Sequence, residues 1–166
     1  QLLSTALNNL GDEYLLVSKP DSALIMFEQS GPVFKRLGFT EGIAMTIGNK
    51  GIAYAMLGKD ELAKDEINHA INMFEKMEKY YPITIFLTYM SDLYLNQGDR
   101  SAALEYSQRS LQLAEKYGLK DEISAANLQL SKLYEGSGDA DASLKYFKNH
   151  ITYRDSVNNI SAVQQM

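Results

Sequence analysis

The chain has 166 residues, a formal net charge of −5 and no cysteine. That length suits one domain, and the interspersed acidic charge repels a polyanion, so nucleic-acid binding is disfavoured. No apolar run reaches the roughly 20 residues that cross a bilayer; the lack of thiols excludes disulfides and thiolate metal sites but leaves the compartment open, cytoplasmic or periplasmic.

Leu3, Leu7, Leu10 and Tyr14 recur at spacings of three and four, which predicts a first helix with one apolar face. The segment 17–21 ends it, and Pro20 suits the first turn of a second helix, where its missing N–H has no intrahelical partner. That helix carries Ala23, Leu24 and Phe27 on its face and runs to Gly38, a left-handed C-terminal cap. Gly31-Pro32 inside it predicts a kink or break near residues 28–31, because an interior proline costs about 3 kcal/mol. Helices follow over 41–57 and 60–79, with Gly58 between them and Asp60 as N-cap.

Residues 80–89, rich in β-branched and aromatic side chains, read as a strand on propensity alone. A lone strand among helices would leave its backbone groups unpaired, so the segment is read as a helix with Pro82 as its first residue. Gln97-Gly98-Asp99 and Ser137-Gly138-Asp139 are the same turn, joining the helix that starts at Pro82 to one over 100–117 and a helix over 121–136 to one from 140 onward. Asn158-Asn159 weakens the last helix, and the spacing of Val157, Ile160, Val163 and Met166 predicts a new one leading out of the array.

Tyr14, Tyr54, Tyr94 and Tyr134 stand forty residues apart. Ala23, Ala63, Ala103 and Ser143 follow nine positions later, and Gly58, Gly98 and Gly138 four positions later, with Ser18 as the exception. Such a period marks a solenoid of stacked supersecondary units. It divides the chain into repeats at about 1–38, 39–79, 80–118 and 119–155, one domain over 1–155, with 156–166 as a linker or capping helix. Both ends lie inside helical patterns, so the chain reads as part of a longer protein with upstream repeats.

These columns resemble the tetratricopeptide repeat in its long variety of about forty residues. The first repeat carries the likeness in Leu7, Leu10, Gly11, Tyr14, Ala23 and Phe27. Departures are Lys50 at a usual leucine, Ser91 and Ser131 at the usual glycine, Ser107 at the usual aromatic and His150 at a small position. The resemblance implies an all-α fold, a right-handed α-α superhelix of about four helix-turn-helix repeats. More narrowly, residues 146–156 are similar to the closing segment of repeat arrays in bacterial multidomain signalling proteins, where an output module such as a histidine kinase, helix-turn-helix regulator or cyclase follows.

No chemistry stands out against this frame. His69 and His150 lie in different repeats, too few for a zinc site, and Gly136-Ser137-Gly138 lacks the strand and third glycine of a dinucleotide loop. No catalytic motif is present, so no enzyme activity and no cofactor or metal is expected.

The resemblance places the concave, ligand-facing surface on the first helix of each repeat. There Asn9, Asn49, Tyr89 and Gln129 form a column with three amides, groups that can both donate to and accept from an extended peptide, though asparagine is also simply tolerated on a wet helix face. Asp12 and Asp92 share that surface and favour a neutral or mildly basic ligand, Lys132 is its one cation, and Ile52, Ile85 and Tyr89 supply an apolar centre. The expected role is a non-catalytic protein- or peptide-binding sensor or scaffold in a bacterial signal-transduction protein. The alternative is a dimerisation module that pairs through the C-terminal segment 156–166 and holds an output domain in register.

Overall fold

The computed structural model describes the backbone of residues 2–164 and the side chains of residues 2–158. Eight helices follow one another among the described residues: α1 (Leu2–Leu16), α2 (Pro20–Arg36), α3 (Thr40–Met56), α4 (Asp60–Lys76), α5 (Tyr80–Asn96), α6 (Arg100–Tyr117), α7 (Lys120–Ser137) and α8 (Ala140–Gln164). The fold is all-α and repeats a helix pair. Two compact units divide between Pro82 and Ile83. In the first, α1 packs on α2, α2 on α3 and α3 on α4; in the second, α6 packs on α7 and α7 on α8.

The joints within each pair follow one pattern. At all four the N–H five residues after the column tyrosine reaches back to that tyrosine's carbonyl: Lys19 to Tyr14 at 2.8 Å, Lys59 to Tyr54 at 2.9 Å, Asp99 to Tyr94 at 2.9 Å and Asp139 to Tyr134 at 3.1 Å. The residue before each donor is left-handed, which glycine supplies at Gly58, Gly98 and Gly138 and which Ser18 adopts at φ 56°. The tyrosine rings are half-buried rather than core. Tyr94 stacks on Tyr106 at 5.3 Å and Tyr134 on Tyr146 at 5.4 Å, tying the first helix of each of those repeats to its second.

Packing explains the departures from the repeat. Gly11 and Gly51 face large side chains: an added Cβ would lie 2.3 Å from the Phe27 ring and 2.7 Å from Ile67. In the third repeat the large residue is replaced by Ser107 and the glycine by Ser91, and the two hydroxyls bond at 2.8 Å, with Ser91 also donating to the Ala103 carbonyl at 2.9 Å. Ser131 repeats that donation, to Ser143 O at 2.9 Å, but its neighbour in the column is Phe147, which is 45% exposed where Phe27 is 1% exposed.

Four local expectations need correction. Helix α2 runs unbroken through Gly31-Pro32, because Phe27, Ser30 and Phe34 on either side are buried and hold both turns in place. Helix α5 starts at Tyr80, so Pro82 is its third residue, still within the first turn that tolerates proline. Asp60 is the first helical residue of α4; the N-cap is Lys59, which makes no side-chain cap bond. Asp99 and Asp139, one residue closer to their glycines, do cap, each accepting at 3.0 Å from the N–H three residues on. Finally, Asn158-Asn159 lies inside one continuous α8, since a small propensity deficit does not interrupt a helix already propagating. The side chains of Ile160, Val163 and Met166 lie outside the described residues.

Candidate protein-binding face

The first helices of the repeats place the expected site residues in two separate clusters. In the first unit, α1 carries Asn9 and Asp12 and α3 carries Asn49 and Ile52. Asn9 is exposed and lines an open pocket of about 170 Å³ with Thr5, Asn8, Phe39, Glu41 and Met45. Asp12 sits at the joint between α1 and α3. Its carboxylate accepts one bond from the Asn49 amide and a longer one, 3.5 Å, from Asn8. Asn49 is only 6% exposed and Ile52 only 4% exposed, so both lie beneath the surface.

The second unit repeats the arrangement. Ile85, Tyr89 and Asp92 lie on α5 and Gln129 and Lys132 on α7. The Gln129 amide donates to Asp92 Oδ1 and, at 3.4 Å, to Ser91 Oγ. Ile85 and Tyr89 are half-buried one turn apart, and Lys132 is exposed near Asp92. Both amide pairs span 37 residues in sequence and occupy the same two repeat columns. At the remaining two column positions Ile52 stands in place of the aspartate and Tyr89 in place of the amide.

Electrostatics distinguishes the two carboxylates. Burial, reinforced by neighbouring Glu13, pushes Asp12 from 3.8 up to about 7. Burial also raises Asp92, but the Gln129 donor and the Lys132 charge pull the other way. The amide oxygens of Asn49 and Gln129 take no bond from the protein among the described residues. Each cluster therefore presents acceptors at a joint between repeats.

Thr46 belongs to this network without having been expected there. Its hydroxyl donates to Asn8 Oδ1 at 3.0 Å and to Gly42 O at 2.8 Å. The sequence holds a faint signal for it, since Thr46 is polar in a column otherwise occupied by Ala6, Phe86 and Ala126. His150 is half-buried and bonds to Ser124, whose Oγ lies 2.9 Å from Nδ1. Among the described residues no cluster of His, Asp and Glu could hold a metal, and no helix is long and apolar enough to cross a membrane.

Residues 90–117, the second half of α5 with all of α6, match the tetratricopeptide repeat. Solved structures share the fold over nearly the whole chain. BtubC (BKLC) from P. vanneervenii superimposes with a TM-score of 0.76 at 19% identity, over 95% of this chain and 65% of its own. A signal-transduction ATPase with numerous domains and a tetratricopeptide repeat sensor, from Pyrococcus horikoshii, gives 0.75 at 16% identity, over 96% of this chain and 25% of its own. The family match thus covers one repeat, and the rest of the chain shares the fold of these structures. The apo form of RapI matches with a TM-score of 0.62 at 18% identity, over 90% of this chain and 67% of its own. The chain thus spans about two thirds of the BtubC length and a quarter of the Pyrococcus protein. No curated protein matches it in sequence. Tetratricopeptide arrays serve as scaffolds for protein interaction, and at these identities the likeness establishes fold alone.

Proposed function

We propose that this repeat region, one domain over 1–155, is a non-catalytic scaffold that binds a protein or extended peptide as the sensor part of a bacterial signal-transduction protein. The observation that carries the reading is the duplicated pair, Asp12 with Asn49 and Asp92 with Gln129, set on the first helices at the same repeat positions. Each pair fixes a joint between repeats and leaves an amide oxygen beside a carboxylate. Within each unit such acceptors suit an N–H of an extended chain, and the negative charge favours a neutral or mildly basic one. Asn9, Asp92 and Lys132 are exposed and Ile85, Tyr89 and Gln129 half-buried on that face, and Tyr89 with Ile85 forms its apolar centre. Asn49, Gln129, Asp12 and Ile52 hold the face in shape.

The test is a peptide selected on the immobilised domain from a displayed library, titrated against wild type and against Tyr89→Ala combined with Asp92→Asn. A loss of tenfold or more in affinity supports the reading. Unchanged affinity in a variant with wild-type circular dichroism removes this face from the site.

A second reading, dimerisation through 156–166, draws on the length of α8, which continues unbroken to Gln164. Sedimentation of the chain with and without that segment tests it; a monomer in both forms excludes it.

A further inference from the structure

Gly31-Pro32 has no part in the face described above, yet the structure gives it a defined setting. It borders an open pocket of about 730 Å³ formed by α2, α3 and α4 within the first unit. That volume lies in the range of small-molecule sites. The apolar part of the lining is Phe27, Pro32, Ile43, Ile47 and Met73. The polar part is Glu28, Lys35, Lys50 and His69 together with the committed hydroxyl of Thr46.

Three features make this more than a gap between helices. Gly31 contributes no side chain to the space between α2 and α3, and an added Cβ would stand 3.4 Å from Thr46 Cγ2, in ordinary contact. Pro32 has no N–H, so the carbonyl of Glu28, itself a lining residue, lacks its helical donor. Lys50 is half-buried in a column where the other repeats carry Leu10, Met90 and Leu130, and the last two are fully buried. No ion pair holds Lys50 among the described residues; its ammonium lies 5.9 Å from the Tyr54 ring centre. A cation thus stands in an otherwise apolar column, with a second lysine on the rim and one carboxylate opposite.

We propose that this pocket binds a small amphipathic carboxylate, its apolar body against Phe27, Ile43, Ile47 and Met73 and its carboxylate toward Lys50 and Lys35. Apart from Thr46, the site uses different residues from the protein-binding face, so either can fail alone. The lysines select for the anion, and the floor selects for an apolar body.

The experiment titrates 3-phenylpropionate, 3-phenylpropionamide and a short acetylated peptide ending in phenylalanine into the whole chain, followed by ¹H–¹⁵N correlation spectra. The acid is expected to shift amides within 27–35, 43–50 and 69–73 and to bind about threefold or more tighter than its amide. Lys50→Leu, which installs the residue of two other repeats, is expected to bring that ratio to about one without loss of helicity. Gly31→Leu is expected to remove binding of both. Saturation by the peptide without response to the free acid, an acid-to-amide ratio unaltered in Lys50→Leu, or shifts elsewhere on the protein would each overturn the proposal. If Gly31→Leu fails to fold, the Lys50→Leu comparison decides.

Discussion

The Asn49 side-chain amide donates to Oδ1 of Asp12, thirty-seven residues earlier, and thereby joins α3 to α1. Asp12 is the more perturbed group of the two. Its folded pKa is raised from 3.8 to about 7, chiefly by burial, so between those values the folded state holds a proton that the unfolded chain releases. Stability from this group is present below about pH 4, declines as pH rises toward 7 and is lost above it. Asp12→Asn, neutral at every pH, removes that slope. Urea midpoints for wild type and variant are expected to agree most closely near pH 4 and to separate in favour of the variant by pH 8. Parallel profiles across the window would show that Asp12 ionises without cost in the fold.

Ser18 and Glu78 take left-handed backbone at φ 56° and 54° in turns where the equivalent residues Gly38, Gly58, Gly98 and Gly138 do so without a Cβ. Left-handed backbone costs an L-residue roughly 1–2 kcal/mol. Ser18→Gly and Glu78→Gly are each expected to raise unfolding free energy by about 0.5–1 kcal/mol, after the extra chain entropy of glycine is subtracted. Chemical denaturation measures it, and a loss of stability in both would contradict the assigned turn geometry.

The pair Ser91 and Ser107 replaces a glycine against a large side chain with two bonded hydroxyls. Restoring only the large residue, Ser107→Phe, is expected to cost about 1–3 kcal/mol through overpacking against Ser91. Adding Ser91→Gly recreates the local pattern of Gly11 with Phe27, so the double variant is expected to recover part of that loss. A double-mutant cycle reads the coupling, and additive effects would mean the two positions do not share one space.

The fold is legible in the sequence because its determinants recur. Forty-residue columns of tyrosine, glycine and alanine place each joint before any local propensity is weighed, and that frame turns residues 80–89 into a helix against their strand-like composition. Boundary details were less legible because they turn on single positions. Asp60 looks like Asp99 in composition but lies one residue too late to cap, and Pro32 is overruled by the buried Phe27 and Phe34 on either side.

The face of the first helices was legible as a set of residues, not as a network. The column of Asn9, Asn49, Tyr89 and Gln129 can be read from spacing, but the Asn49 and Gln129 bonds to Asp12 and Asp92 depend on distances between repeats. One trace of them is present in the sequence: Ile52 and Tyr89 depart from their columns together. Burial of Asn49 leaves no such trace, since the exposed Asn9 is the same residue type in the same column.

The central claim, a peptide-binding surface on the first helices, is tested most directly by mapping a library-selected peptide onto the domain by amide shift perturbation. Perturbations are expected on α5 and α7 around Ile85, Tyr89, Asp92 and Lys132, or on α1 around Asn9. Perturbations confined to α2, α4, α6 and α8, with those residues unaffected, would contradict it.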